Sequence, residues 1–237
     1  MNSLFELLTS LNPWWNGQDF DTGRTRTRYF SKIQRYLETK EIIVLSGVRR
    51  SGKTTLLFQI VKHLITIQKV SPRNILFVNC DEQDISALEN AISNVVDTYR
   101  KEIAAKGTLY LVFDEIQNIK GWERAIKSLY DRKNYKIIIS GSSSYLLDSQ
   151  LSPLLSGRYF SVPVFPLDFR EYLSFHDIEI SNDPVNLAAH KYEILTMLKQ
   201  YLREGGFLLL YCRKKNSRNR ITSGHTTTVS FTGILFA

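Results

Sequence analysis

Apolar positions along this chain switch between two rhythms. Short unbroken apolar runs fall at Glu41–Ser46 (EIIVLS), Asn74–Cys80 (NILFVNC), Leu109–Phe113 (LYLVF), Ile137–Ser140 and Tyr159–Val164. Runs of this length without polar alternation predict strands buried on both faces. Between them, Lys53–Ile67, Ile85–Ala105 and Trp122–Tyr130 predict helices. In the first of these, Leu56, Leu57, Ile60, Val61 and Leu64 share one side. Ser143–Asp148 predicts the start of another. Strands alternating with helices call for an α/β fold: a five-stranded parallel sheet flanked by helices. Upstream, Ser3–Leu11 predicts a short helix stopped by Asn12-Pro13 and followed by Trp14-Trp15. The basic strip Arg24–Arg28 precedes a helix over Tyr29–Thr39.

The turn after the first predicted strand carries the candidate chemistry. Gly47-Val48-Arg49-Arg50-Ser51-Gly52-Lys53-Thr54 fits G-x-x-x-x-G-K-[ST] in full, with a strand before it and a helix after it. A triphosphate needs many fixed donors. Glycines let backbone amides approach closely, and the helix N-terminus adds free N–H groups and a positive dipole end. This assigns Gly47 through Thr55 to binding a nucleotide. Lys53 would reach the β- and γ-phosphates, and the Thr54 hydroxyl would ligate Mg2+. Arg49 and Arg50 either flank the phosphates or sit solvated at the loop tip, with the second reading slightly favoured.

The third predicted strand ends in two carboxylates, LYLVFDE over Leu109–Glu115. A strand buried on both faces turns polar at its carboxyl end, where ligands of such sheets bind. Asp114 is the candidate metal residue and Glu115 the candidate general base for an attacking water. At the end of the fourth strand, Ser140, and after it Ser142, could sense a γ-phosphate; both also fit turn and helix-cap duties. Arg158, just before the fifth strand, is a candidate arginine finger and equally a surface or ion-pairing arginine. His63, His176 and His190 show no metal-ligand spacing with one another or with the cysteines.

Composition narrows the setting. Two cysteines, Cys80 and Cys212, cannot form a disulfide framework, which points to a reducing cytoplasm. The N-terminal text lacks a secretory pattern, and no apolar run reaches the roughly 20 residues that span a bilayer. The net charge of +8 suggests nucleic acid until its distribution is examined. Five basic residues and no acidic ones lie in Gly205–Ala237, leaving 26 basic against 23 acidic over Met1–Glu204. The body is close to neutral, so charge alone argues weakly for DNA.

Taken in order, five segments resemble a known family. They are GVRRSGKTTLL at Gly47–Leu57, LVFDEIQNIKGWERAIKSLYD at Leu111–Asp131, IIISGSSSYLL at Ile137–Leu147, LSGRYFSVPVFPLDFREYL at Leu155–Leu173 and YLREGGF at Tyr201–Phe207. Together they resemble the AAA+-type P-loop ATPases of archaea and some bacteria, whose ATPase domain is followed by a C-terminal domain of unknown function. The resemblance spans Trp14 to Phe207. It implies a P-loop NTPase fold with the sheet in AAA+ order, ATP as the nucleotide, Lys53, Thr54, Asp114 and Glu115 in the roles above, and Ser140 and Arg158 as sensor and finger.

The expected organisation is a helical lead-in over 1–40, an ATPase core over 41–175, the start of a helical C-terminal region over 176–207, and an atypical tail over 208–237. Family members continue past the equivalent of Phe207 with a proline and an acidic, helical segment. Here the text is LLLYCRKKNSRNRITSGHTTTVSFTGILFA. Shifting the frame by two nucleotides from His225 permits YYDSIIYRDIVR, which resembles the family's next segment, and permits Pro directly after Phe207. The tail is therefore expected to be a frameshift product, poorly ordered, with the C-terminal domain missing.

Three functions fit these residues: a regulatory or motor ATPase, a nucleotide-dependent DNA-binding module with little turnover, and a small-molecule kinase. A kinase needs an arginine-bearing lid, and the DE strand end favours water as nucleophile. The expected partners are ATP and, through the missing C-terminal domain, DNA or a protein; an oligomer fits and a membrane does not.

Overall fold

The computed structural model describes residues 4–142, 153–179 and 183–207. The helix expected from Ser143 and the tail from Leu208 lie outside them. Five strands form one parallel sheet: β1 (Ile42–Ser46), β2 (Ile75–Asn79), β3 (Leu109–Asp114), β4 (Tyr135–Gly141) and β5 (Tyr159–Pro163). Their order is β2-β3-β4-β1-β5. Every residue of β1 and of β4 is buried, which is why Ile42–Leu45 and Ile137–Ile139 read as unbroken apolar runs.

Helices cover both faces. α1 (Leu4–Leu11) and α2 (Thr27–Leu37) precede β1, and α3 (Lys53–Thr66) follows it. α4 (Gln83–Ser86) and α5 (Ala91–Glu102) link β2 to β3, and α6 (Trp122–Asp131) links β3 to β4. After β5 come α7 (Phe169–Phe175), α8 (Pro184–Ala189) and α9 (Lys191–Glu204). The apolar side read in α3 is its core side: Leu56, Leu57, Ile60, Val61 and Leu64 are all fully buried.

Three boundaries differ from the pattern, each for a physical reason. The helix expected over Ile85–Ala105 is two helices: the first ends at Ser86, and Asn90, in the left-handed region (φ 52°), caps the start of the second. Asparagine tolerates that conformation better than most residues. α2 begins at Thr27, two residues early, immediately after the buried Arg26. β4 starts at Tyr135 because Lys136, polar in sequence, is buried: its ammonium donates to the carbonyls of Tyr36, Thr39 and Glu41, beyond and within the last turn of α2. A cation there satisfies carbonyls that a helix C-terminus leaves without intrahelical donors.

The Asn12-Pro13-Trp14-Trp15 stop does more than end α1. β2 is an edge strand, and Asn12 pairs with it like one residue of a further strand. Its Nδ2 donates to Phe77 O at 2.9 Å and its Oδ1 accepts from Phe77 N at 2.6 Å. Both indole N–H groups donate to Ile75 O, at 3.1 and 2.8 Å. An open edge otherwise invites pairing with another chain. Asn12→Ala leaves a buried N–H and C=O of Phe77 unsatisfied. The expected loss is about 2–4 kcal/mol in urea unfolding; a change within about 0.5 kcal/mol, the scatter of neutral surface sites, contradicts this edge role.

Candidate functional site

The loop Gly47–Gly52 leaves the carboxyl end of β1, and its backbone explains its glycines separately. A Cβ on Gly47 would stand 2.2 Å from the carbonyl oxygen of Val164, whose own N–H donates to Ser46 O at 2.6 Å. Gly47 is thus required by the chain leaving β5, whose Val164 carbonyl lies against the start of the loop. Gly52 has φ 95°, a conformation that strains any residue with a side chain. Between them Ser51 N donates to Val48 O at 3.2 Å, closing a turn with Arg50 at φ 67°. α3 then begins at Lys53, so the loop leads straight into the free N–H groups of a helix start.

Lys53 is 4% exposed. Its ammonium donates to Gly47 O at 3.1 Å and Val48 O at 3.3 Å, and pairs with Glu115 Oε1 at 3.3 Å. The next residue faces the other carboxylate: Thr54 Oγ1 donates to Asp114 Oδ2 at 2.6 Å. Two sequence motifs sixty residues apart therefore meet through two adjacent pairs of side chains.

Asp114 is the last residue of β3, in register with Asn79 of β2, and its carbonyl accepts from Cys80 N at 2.9 Å. Burial pushes its carboxyl pKa up; hydrogen bonds from Ser140 and Thr54 oppose that shift by favouring the ionised form. Burial also raises the Cys80 thiol, reinforced by Asp114 and Glu115, so this cysteine is an unreactive core residue.

Glu115 lies in the left-handed region at φ 50°, ψ 47°. Its N–H donates to Ser140 Oγ at 3.2 Å, and its Oε2 accepts from Gln117 Nε2 at 2.7 Å. A strained non-glycine backbone at a carboxylate marks a position the surroundings over-determine. The Ser140 hydroxyl, fully buried, also donates to Asp114 Oδ1.

The donor set suits Mg2+. A hydroxyl and a carboxylate side by side are hard oxygen ligands, and Mg2+ takes only one or two such protein groups beside waters and phosphates. Among the described residues no group of three or more His, Cys, Asp or Glu is gathered. The buried Ser51 hydroxyl has no partner among the described residues, an uncompensated polar atom within the loop itself.

The structure thus brings together Gly47, Ser51, Gly52, Lys53, Thr54, Asp114, Glu115 and Ser140. Val48, Arg49 and Arg50 form an exposed tip, where Arg49 stands 3.9 Å from Asp81. Thr55 is half-buried beside the Gly23 backbone. Ser142 lies just beyond the end of β4. Arg158 is elsewhere. Its carbonyl accepts from the N–H of Ile42, the first residue of β1, while the loop leaves the other end of that strand. Five residues of parallel strand separate the two ends by roughly 16 Å, and the Arg158 guanidinium donates to Leu154 O. Two participants escaped sequence reasoning. Gln117 holds Glu115, and only its position two residues past the acid pair hinted at this. Arg26, 1% exposed, donates to Ser51 O at 2.8 Å; its signal was a basic strip running into a helix.

Strand order, loop and acid pair together make this an AAA+-type P-loop fold. The chain belongs to the AAA domain family, whose model matches residues 39–173. An uncharacterized protein of Haemophilus influenzae is 30% identical over 200 residues, covering 84% of this chain and 48% of that protein. Two uncharacterized proteins of Methanocaldococcus jannaschii are 31% and 38% identical, over 74% and 60% of this chain and 38% and 30% of theirs. The chain spans less than half the length of these curated relatives. Among solved structures, the Aeropyrum pernix ORC1 protein in complex with DNA shares the fold, with TM-score 0.50 and 13% identity over 88% of this chain and 65% of that one. Caenorhabditis elegans PCH-2 is more distant, with TM-score 0.41 and 14% identity over 73% and 44%. No helix among the described residues is long and apolar enough to cross a membrane.

Proposed function

We propose that the chain binds ATP with Mg2+ and hydrolyses it to ADP and phosphate, acting as the ATPase unit of a cytoplasmic regulatory or motor protein. The observation that carries this reading is the meeting of Lys53 with Glu115 and of Thr54 with Asp114. The backbone of Gly47–Thr55 would cradle the phosphates. Thr54 and Asp114 would hold Mg2+, which neutralises charge between the β- and γ-phosphates.

Lys53 exchanges the Gly47 and Val48 carbonyls and the Glu115 carboxylate for phosphate oxygens, which frees Glu115. Glu115 accepts a proton from the attacking water as its oxygen bonds to the γ-phosphorus and the bond to the bridging oxygen breaks. Ser140 holds Asp114 and the Glu115 backbone, and so acts through the carboxylates. Arg158, at the opposite end of the strands from the loop, would serve a neighbouring copy's nucleotide, which calls for an oligomer.

Phosphate release from ATP, with and without duplex DNA, tests the reading. Mg2+-dependent release above the Lys53→Ala background is expected. Nucleotide-dependent DNA binding with release no higher than that background would replace it by the DNA-binding module.

A further inference from the structure

The basic strip Arg24–Arg28, which runs into the first turn of α2, has a second end. Arg24, Arg26 and Arg28 alternate along it, and each engages an acid in the segment after β5: Arg24 with Asp177 at 2.7 Å, Arg26 with Glu171 at 2.7 Å, and Arg28 with Asp168 at 2.5 Å. The outer pairs are exposed and contribute little. The central one differs, with the Arg26 side chain at 0% exposure and that of Glu171 at 12%.

Arg26 grips Glu171 with two N–H groups, Nε to Oε1 at 3.0 Å and Nη2 to Oε2 at 2.7 Å. Its Nη1 donates to Ser51 O in the phosphate loop at 2.8 Å and to Phe165 O, beyond β5, at 2.9 Å. Its guanidinium lies 4.6 Å from the Tyr29 ring centre, and the Tyr29 hydroxyl accepts from Phe165 N. A buried cation is tolerated only when so fully partnered. One side chain thus ties the lead-in, the phosphate loop and the helical segment after the sheet.

The contact with Ser51 has a consequence for the loop. A trans peptide is planar, so fixing the Ser51 carbonyl toward Arg26 turns the Gly52 N–H the opposite way. We infer that Arg26 is a positioning residue that orients the Ser51–Gly52 peptide for nucleotide binding and, through Glu171, couples occupancy of the loop to α7. This rests on reading the loop as the ATP site. Such coupling is reciprocal: what nucleotide does to α7, a change at Glu171 does to nucleotide affinity.

Glu171→Gln is the cleanest probe. Glu171 also accepts from Asp168 N in the capping box that starts α7, and glutamine keeps that bond while removing the charge facing Arg26. The experiment is hydrogen exchange on the full chain, with and without Mg2+ and an ATP analogue bearing an imido β–γ bridge, together with calorimetric affinity.

In the native protein the analogue should slow exchange both at the loop and at residues 168–177. In Glu171→Gln the loop should still respond, the response at 168–177 should vanish, and affinity should weaken about tenfold. A native loop response with none at 168–177 overturns the coupling and leaves the ATP reading standing; no response at either place overturns both. A purely structural pair would make α7 exchange faster in the variant while preserving its nucleotide response, which also overturns the inference. Should Glu171→Gln fail to fold, Arg26→Lys is read in the same way, because lysine keeps the charge but cannot span Glu171, Ser51 and Phe165 together.

Discussion

Glu115→Gln should lower phosphate release about 10²–10⁴-fold, the range a positioned general base supplies. Nucleotide binding should survive the change and tighten. Glu115 pairs with Lys53 at 3.3 Å, so phosphate competes with that carboxylate for the ammonium. Glutamine is a weaker competitor of nearly the same shape, and Gln117 can still hydrogen-bond to it. Turnover equal to the native protein would remove Glu115 as the base. Affinity that drops tenfold would remove the competition with Lys53.

Lys53→Ala should abolish measurable nucleotide binding. A charge-assisted hydrogen bond contributes about 1.5–3 kcal/mol, and one lysine reaching two phosphates stands to lose more than one such bond. The loss is therefore two or more orders of magnitude in affinity. This residue also staples the loop, donating to Gly47 O and Val48 O, so alanine removes preorganisation along with charge. Calorimetric titration with ATP and Mg2+ reads the result; native-like affinity would end the phosphate-loop assignment. Reading the two variants together separates their roles, since one should bind without turnover and the other should do neither.

The legible parts of this molecule were those encoded over a few consecutive residues. Ile42–Ser46 and Leu109–Asp114 were visible as strands because burial on both faces leaves no room for polar residues until the ligand edge. The loop was visible because close backbone approach, φ > 0 and a helix start demand particular residue types at fixed offsets. Asn90 shows the limit. α4 ends at Ser86 and left-handed Asn90 opens α5, and nothing in the apolar periodicity around them announces the break.

Roles that depend on distant partners were less legible. The sequence allows Ser140 to be either a phosphate sensor or a turn residue; the sheet sets its hydroxyl against Asp114 and the Glu115 backbone. The charge of Arg158 and its place before a strand suit a finger and a surface arginine equally. Parallel pairing of β5 with β1 puts that strand start at the end opposite the loop. Both outcomes follow from register, which aligns residues from strands far apart in the chain.

By itself, then, the sequence determined the α/β class, the five strands, the phosphate loop and the acid pair, because each is a local demand on backbone conformation or burial. Tertiary structure alone decided which carboxylate faces Lys53 and which faces Thr54, why Gly47 must lack a side chain, and where Arg26 delivers its charge. Those answers rest on contacts between residues 25 to 145 positions apart, such as Arg26 with Ser51, Thr54 with Asp114 and Arg26 with Glu171. Local periodicity carries no record of such pairings, since closing the chain into a sheet is what creates them.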